Sequence, residues 1–167
     1  MNILSELDFN DYSEHWKKEL RLASRAIIEI GDKIVLVRSD KYGEYKFPGG
    51  GLKTNETIYE ALVRETYEET GLEVDEKTIS EFGATFERRK KFGDNVILYQ
   101  LSFYYKCSVT SKNSPPSLDA FEKELGYKMV LETPIIALEK NRTNFFNINT
   151  PWVQRDSFIL SLLCETP

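Results

Sequence analysis

Histidine, cysteine and long apolar runs are all scarce in this sequence. Its 167 residues contain one histidine, His15, which lies in the polar stretch at the start of the chain. A Ser-His-Asp or Cys-His mechanism would depend on that single residue. Cys107 and Cys164 form no C-x-x-C motif, so neither a zinc knuckle nor a disulfide framework is indicated. Any metal site must therefore use oxygen ligands, which favours Mg²⁺, Mn²⁺ or Ca²⁺ over zinc.

Excess basic charge is also missing. The formal net charge is −5 at pH 7, which argues against polymeric nucleic acid as the main ligand. The first 20 residues have no apolar core of the kind that signal peptides carry, and no run approaches the roughly 18 apolar residues of a membrane span. We therefore expect one domain over residues 1–167, located in a reducing cytoplasm and not in a membrane.

The pattern of apolar residues and turn signals predicts an α+β fold. A hairpin over 24–39 would turn at Gly31-Asp32, and two further strands over 78–91 and 95–109 would turn at Gly93-Asp94. A Ser/Pro loop at 111–119 precedes a short strand at 127–131. This order predicts a mixed β-sheet sandwiched between α-helices.

Three helices are expected. The clearest runs from Asn55 to Thr70, with Thr54 or Asn55 as N-cap and Gly71 as the stop. The other two are expected to begin near 133–134 and at 150–151, where a proline suits the first helical turn.

Three glutamates, Glu65, Glu68 and Glu69, lie on one face of the predicted helix, near its C-terminus. Residues three and four apart are neighbours on a helix, so these carboxylates repel one another, and the helix dipole opposes them as well. A solvated glutamate face is one interpretation, because glutamate is a good helix former. The run of glycines at 49–51 favours another, in which the flexible backbone folds back and a carbonyl oxygen joins the carboxylates around a divalent cation.

The stretch from Gly50 to Leu72 resembles the Nudix box, a 23-residue pattern whose fixed positions are all present. These are Gly50, Glu56, Arg64, Glu65, Glu68, Glu69, Gly71 and Leu72. The one departure is Thr66, where the family prefers a bulky aliphatic residue. On this resemblance the chain is identified as a small MutT-like member of the Nudix hydrolases, with residues 50–72 as its box and 1–22 as an N-terminal extension.

The resemblance implies a Mg²⁺- or Mn²⁺-dependent hydrolase that cleaves a diphosphate linkage in a nucleoside diphosphate-X or nucleoside triphosphate. Its metal ligands would be the carboxylates of Glu65, Glu68 and Glu69 and the carbonyl of Gly49. Arg64 would orient a glutamate through an ion pair, and Glu56 would support the junction between loop and helix. The alternative is a catalytically silent Nudix-fold module that binds nucleotides or regulates a partner, which the complete set of carboxylates argues against.

Substrate contacts lie outside the box. Motifs typical of the family's ADP-ribose, diadenosine polyphosphate and coenzyme A enzymes are absent or incomplete, so a small nucleotide-type substrate, with a nucleoside triphosphate favoured, is expected. Arg38 could contact the substrate or form a structural ion pair, and Arg88 could contact phosphate or keep a hairpin tip soluble. Tyr45 could stack on a base or pack in the core.

A homodimer is a further expectation. Tyr12 and Trp16 could cover an edge of the fold, contact substrate or pack against a second subunit.

The general base must also come from outside the box. Because the chain has no usable histidine, a carboxylate is expected to accept the proton from water. Glu122 and Glu124 lie between the Ser/Pro loop and the strand at 127–131, in a segment that could close over the metal site. Glu122 is favoured of the two, although both could be solvated loop residues.

Overall fold

A computed structural model describes residues 1–145 and 151–165 of the chain. The strands are β1 (Ile3–Asp8), β2 (Lys17–Ile27), β3 (Glu29–Ile30), β4 (Lys33–Ser39), β5 (Tyr45–Lys46), β6 (Gly49–Gly51), β7 (Leu72–Lys90), β8 (Val96–Asn113) and β9 (Tyr127–Glu132). The helices are α1 (Ile58–Thr70), α2 (Ala120–Leu125), α3 (Pro134–Phe145) and α4 (Pro151–Glu165).

The strands form two sheets. The larger has the order β1-β7-β8-β2-β6, in which β1 runs parallel to β7 and β2 parallel to β8, while the other neighbours are antiparallel. In the smaller sheet β4 pairs antiparallel with β3, β5 and β9. The expected mixed sheet with flanking helices is therefore confirmed.

Alternate residues of β4 face two different hydrophobic clusters. Leu36 packs in a cluster that includes Leu138 of α3 and Ile159 of α4. Its neighbour Val35 packs in a second cluster with Leu62 of α1. Because successive side chains of a strand point to opposite faces, α1 lies on one side of the smaller sheet, and α3 and α4 lie on the other.

The hairpin expected over 24–39 is wrong in its pairing. The turn at Gly31-Asp32 joins only β3 and β4, whereas β2 stays in the larger sheet and pairs along its whole length with β8. The chain changes sheets at Ile28, between β2 and β3. Pairing with β8 is favoured over the local hairpin because it provides backbone hydrogen-bond partners along all 11 residues of β2.

The long helix begins later than the sequence suggested. Its N-cap is Thr57, whose side chain accepts from the amide of Glu60 while the Glu60 carboxylate accepts from the amide of Thr57. This reciprocal capping box outcompetes the expected caps, and Asn55 has a left-handed backbone (φ 63°) that excludes it from the helix. The C-terminal end at Gly71 is confirmed, with φ 75°.

The N-terminal residues form part of the larger sheet. β1 pairs with β7, and residues 17–22 belong to β2. The guanidinium of Arg88 lies 4.6 Å from the ring centre of Tyr12, and the ammonium of Lys90 lies 5.2 Å from that of Trp16. Both aromatic side chains therefore pack against basic residues of β7. Along the described ranges, no helix combines the length and the apolar character needed to span a membrane.

Candidate active site

The glycine loop and α1 meet at two close contacts. The amide of Gly49 donates a hydrogen bond to Glu69 Oε2 at 2.9 Å. A Cβ atom on Gly50 would lie 2.5 Å from the carboxyl carbon of Glu65, a distance that real Cβ atoms do not adopt. Glycine at these positions thus lets the loop backbone approach the acidic face of α1, as the sequence led us to expect.

Three carboxylates converge beside this loop. Glu65 and Glu69 come from α1, and Glu122 comes from the short helix α2, whose N-cap is Asp119. One carboxylate oxygen from each glutamate lies within 4.8 Å of the others. Glu122, which the sequence favoured as a functional acid, is therefore brought to the acidic face of α1.

The cluster concentrates negative charge in a partly buried place. Glu69 is almost fully buried and accepts hydrogen bonds from Lys46 Nζ and the Gly49 amide. Burial, reinforced by the negative charge of Glu69, raises the pKa of Glu122 to about 7. Lys46 supplies one compensating charge inside the cluster, and its ammonium lies 4.5 Å from the ring centre of Tyr127. Crowded oxygen donors of this kind fit a hard divalent cation.

Arg64 ties the rest of the box together. It donates to both carboxylate oxygens of Glu56, at 2.6 and 2.8 Å, and these bonds lower the pKa of Glu56 to about 2. Its Nη1 donates to Glu65 Oε1 at 2.6 Å and to Glu68 Oε2 at 2.9 Å, and its Nη2 donates to the Gly51 carbonyl at 3.2 Å. The guanidinium thus connects the loop, the junction before the helix and two of the acidic residues.

Two of the predicted metal ligands have other contacts. Glu68 is half-exposed and pairs with Arg64 and, at 3.4 Å, with Lys53, so it lies beside the three-carboxylate cluster rather than in it. The carbonyl of Gly49 accepts a hydrogen bond from Arg25 Nη1. These contacts do not use every lone pair of the Glu68 carboxylate or of the Gly49 carbonyl oxygen. Both groups therefore stay predicted ligands in addition to Glu65 and Glu69.

A cavity of about 290 Å³ opens next to the cluster. Glu65, Glu69 and Glu122 line the cavity, and the rest of its wall is rich in arginine and aromatic side chains. These wall residues are Arg21, Arg25, Arg89, Arg155, Gln100, Phe92, Trp152 and Phe121.

Seven of the predicted site residues do not line this cavity within the part of the chain that the structure describes. Glu56, Arg64 and Glu68 belong to the ion-pair network described above, and the remaining four have contacts elsewhere. Arg38 forms an exposed ion pair with Asp40 at 3.8 Å. Tyr45 is buried in the core, and its backbone hydrogen-bonds the side chain of Asn141.

The other two face different partners. Arg88 points to the outer face of β7 and pairs there with Asp8 and Glu14 of the N-terminal segment. Glu124 is exposed and pairs with Lys41 at 2.8 Å. The contacts of Arg38 and Tyr45 match the structural alternatives considered above, whereas Arg88 and Glu124 form ion pairs that those alternatives did not include. We do not carry these four residues into the proposed site.

Sequence reasoning missed the arginines of the wall. Arg89 follows Arg88 directly, yet it faces the cavity because successive residues of a strand point to opposite faces. A signal was present in β8, where the polar residues Gln100 and Ser102 alternate with apolar ones. When polar residues alternate in this way on a sheet face that a helix covers, they indicate a cavity lined by polar side chains rather than a solvated surface.

Comparisons with known proteins agree with this architecture. A family model of the NUDIX domain matches residues 19–145. An 8-oxo-dGTP diphosphatase from Proteus vulgaris is 36% identical over 67 residues, which are 38% of this chain and 60% of that protein. The chain therefore matches less than two thirds of the length of this curated relative.

Two solved structures have the same fold. A NUDIX hydrolase from Nitrosomonas europaea superposes with a TM-score of 0.60 at 22% identity, over 88% of this chain and 91% of that one. A MutT NUDIX hydrolase from Burkholderia pseudomallei superposes with a TM-score of 0.55 at 14% identity, over 86% of this chain and 97% of that one. At these identities the likeness establishes the fold alone.

Proposed function

The chain belongs to the NUDIX family, and from this premise we propose that it is a divalent-metal-dependent hydrolase of a diphosphate linkage in a nucleotide-type substrate. The observation that carries the proposal is the convergence of Glu65, Glu69 and Glu122 within 4.8 Å in the lining of a cavity. A diphosphate would be repelled by three carboxylates unless a cation reversed the local charge.

Glu65 and Glu69 would hold the cation, because both are fixed on α1 beside the glycine loop. Their oxygens are hard donors that suit Mg²⁺ or Mn²⁺, and Glu68 and the Gly49 carbonyl are further donors near them. When bound, the metal would neutralise the diphosphate, polarise a phosphorus–oxygen bond and lower the pKa of a water molecule. Arg64 positions Glu65 and Glu68 by holding both carboxylates on one nitrogen.

Glu122 would accept the proton from the attacking water. It lines the cavity together with the two carboxylates of α1, and its own backbone is held by the capping box of α2. A base must lie within reach of the proton that it removes, which favours Glu122 in the cavity over Glu124, whose carboxylate pairs with Lys41.

The aromatic residues of the cavity favour a substrate with a planar base. Phe92 and Phe121 are 65% and 55% exposed, and the ring centre of Phe92 lies 6.3 Å from that of Trp152. Exposed aromatic faces beside a diphosphate site can stack on a nucleobase. Nucleoside triphosphates, including the oxidised purine nucleotide named for the Proteus vulgaris relative, are therefore the first substrates to test.

Metal addition should switch activity on and stabilise the fold. We expect hydrolysis of a nucleoside triphosphate or nucleoside diphosphate-X with millimolar Mg²⁺ or a lower concentration of Mn²⁺, and none in EDTA. The cation should also raise Tm, because it relieves repulsion among Glu65, Glu69 and Glu122 and binds the folded state preferentially. A screen for released phosphate or pyrophosphate, with thermal unfolding in parallel, measures both effects. Full turnover in EDTA would contradict the proposal.

Glu122 and Glu124 provide a matched pair on one short helix. Glu122→Gln should lower kcat at least about tenfold, as expected for the loss of a general base. Glu124→Gln should leave kcat unchanged, because it removes only an exposed pair with Lys41. Both variants should be compared at saturating Mg²⁺. Normal turnover by Glu122→Gln would place the base elsewhere in the cavity.

A further inference from the structure

One face of the larger sheet carries polar side chains at alternate positions on three neighbouring strands. Arg21 and Arg25 lie two alternations apart on β2, and Arg21 is paired in register with Gln100 of β8. Gln100 is paired in turn with Glu87 of β7, and Arg89 lies one alternation further along β7. Side chains on this face point into the cavity rather than into the apolar core.

Helix α4 adds a further guanidinium to the same cavity. Arg155 is buried and donates to Glu87 Oε2 at 3.2 Å and to Asp156 Oδ1 at 2.9 Å. We refer to the four arginines, Arg21, Arg25, Arg89 and Arg155, as the arginine wall. The wall meets the carboxylate cluster at the glycine loop, where Arg25 donates to the Gly49 carbonyl.

The guanidinium groups of the arginine wall differ in how completely they are paired. Arg155 is matched by Asp156, and Glu87 is shared between Arg155 and Arg89, whose Nε lies 3.9 Å from Glu87 Oε1. Arg25, which is buried, donates to a neutral carbonyl rather than to a carboxylate. The guanidinium groups of Arg25 and Arg89 are thus less completely paired than that of Arg155.

Several polar atoms of the cavity are buried without a hydrogen-bond partner among the residues that the structure describes. They include Arg25 Nε, Arg89 Nε and Trp152 Nε1, which are all N–H donors. Arg25 and Arg89 are each only 6% exposed, so water does not solvate them freely. A buried donor left unpaired is costly, and guanidinium donors that line one cavity suit an anion with several acceptor oxygens.

We infer that the arginine wall is a second anion subsite and that the preferred substrate carries a phosphate group in addition to the diphosphate held at the carboxylates. This inference rests on the proposed function for the identity of the substrate, but not for the binding of the anion. The additional phosphate is either the third phosphate of a triphosphate or a phosphomonoester on the group linked to the diphosphate. The two sources present the same chemistry to the wall.

Anion binding can be measured without turnover. Trp16 and Trp152 are the two tryptophans of the chain, so a Trp16→Phe background leaves the cavity residue Trp152 as the only indole reporter. Fluorescence titration with inorganic phosphate, which cannot be hydrolysed, in the presence of Mg²⁺ to offset the carboxylate cluster should show saturable binding. Arg89→Gln and Arg21→Gln should each weaken that binding about tenfold, the usual loss for a charge-assisted hydrogen bond.

Arg88→Gln is the matched control. It removes the same charge from the adjacent residue of β7, but its side chain faces Asp8 and Glu14 on the opposite face. It should therefore keep wild-type anion affinity. Arg21→Gln guards against misfolding, because Arg21 lies at the exposed rim and its loss leaves the buried ion pairs intact. Wild-type affinity in both Arg21→Gln and Arg89→Gln, with circular dichroism showing folded protein, would overturn the inference.

Turnover then identifies the source of the phosphate. With Mg²⁺, one arm compares a nucleoside triphosphate with its diphosphate, and another compares nucleoside diphosphate-X compounds with and without a phosphomonoester on X. One of these two pairs of compounds contains the natural source of the additional phosphate. For that pair, Arg21→Gln should raise KM about tenfold for the compound with the additional phosphate. The KM of the other compound, and kcat for both compounds, should change little. If anions bind but no compound is hydrolysed, the proposed function fails and the subsite stands. Hydrolysis without any anion binding or phosphate preference would refute the subsite alone.

Discussion

Glu69→Gln should lower kcat by at least about 100-fold. Glu69 lies at the centre of the candidate site, where it contacts the Gly49 amide and Lys46 and shares the carboxylate cluster with Glu65 and Glu122. The substitution keeps the shape of the side chain but removes the charge that holds a divalent cation. A loss of roughly 3 kcal/mol of charge stabilisation corresponds to about two orders of magnitude in rate.

The same variant should also be less stable. Repulsion among the clustered carboxylates, taken alone, would predict the opposite, because the substitution removes a like-charge contact. In the structure, however, the substitution leaves the buried ammonium of Lys46 without its anionic partner, at a cost of roughly 1–3 kcal/mol. Chemical denaturation in EDTA measures this loss.

A double variant separates the two effects. Glu69→Gln combined with Lys46→Met should recover most of the lost stability, since an apolar side chain replaces the unpaired charge. It should not recover kcat, because the ligand charge is still missing. Wild-type turnover in Glu69→Gln would show that Glu69 binds no catalytic metal, and recovery of kcat in the double variant would show that the defect is one of folding.

The local features of the site were predictable because they depend on neighbours along the chain. The spacing of Glu65 and Glu69 on one helical face and the stop at Gly71 follow from helix geometry alone. Glu122 could be singled out as a candidate, since a carboxylate from outside the box was expected as the general base. These residues do lie where the sequence placed them, on α1, at its end and beside the cavity.

The arginine wall of the cavity was not predictable, because it depends on the pairing of strands that are far apart along the chain. Whether Arg88 or Arg89 faces the cavity is decided by a shift of a single residue in β7. Arg155 reaches the same cavity only because α4 packs over the larger sheet. Nothing in the local sequence of β2 indicates that it pairs with β8 rather than with β4.

The second large effect concerns stability, and Asp156→Asn should produce it. Asp156 is fully buried, and its carboxylate accepts from Arg155 Nε at 2.9 Å, from the Tyr104 hydroxyl at 2.7 Å and from the Phe47 amide at 3.3 Å. Asparagine would remove the charge that compensates Arg155 and turn an NH₂ group toward donors. Breaking a buried ion pair of this kind costs about 3–5 kcal/mol of the free energy of unfolding. Asp40→Asn, which alters an exposed pair with Lys128, should change little.

The effect of Asp156→Asn should depend on pH in a defined direction. Burial alone would raise the pKa of Asp156, but Arg155 outweighs burial and holds the pKa below its ordinary value. A carboxyl whose pKa is lower in the folded than in the unfolded state stabilises the protein above the unfolded pKa, about 4, and this contribution is lost as the pH falls through the folded pKa. The free energies of unfolding of the wild type and the variant should therefore differ most near pH 7 and converge below about pH 4. Denaturation series at pH 7, 5 and 3 measure the difference; a difference that stays constant, or widens in acid, would mean that Asp156 is not held ionised by Arg155.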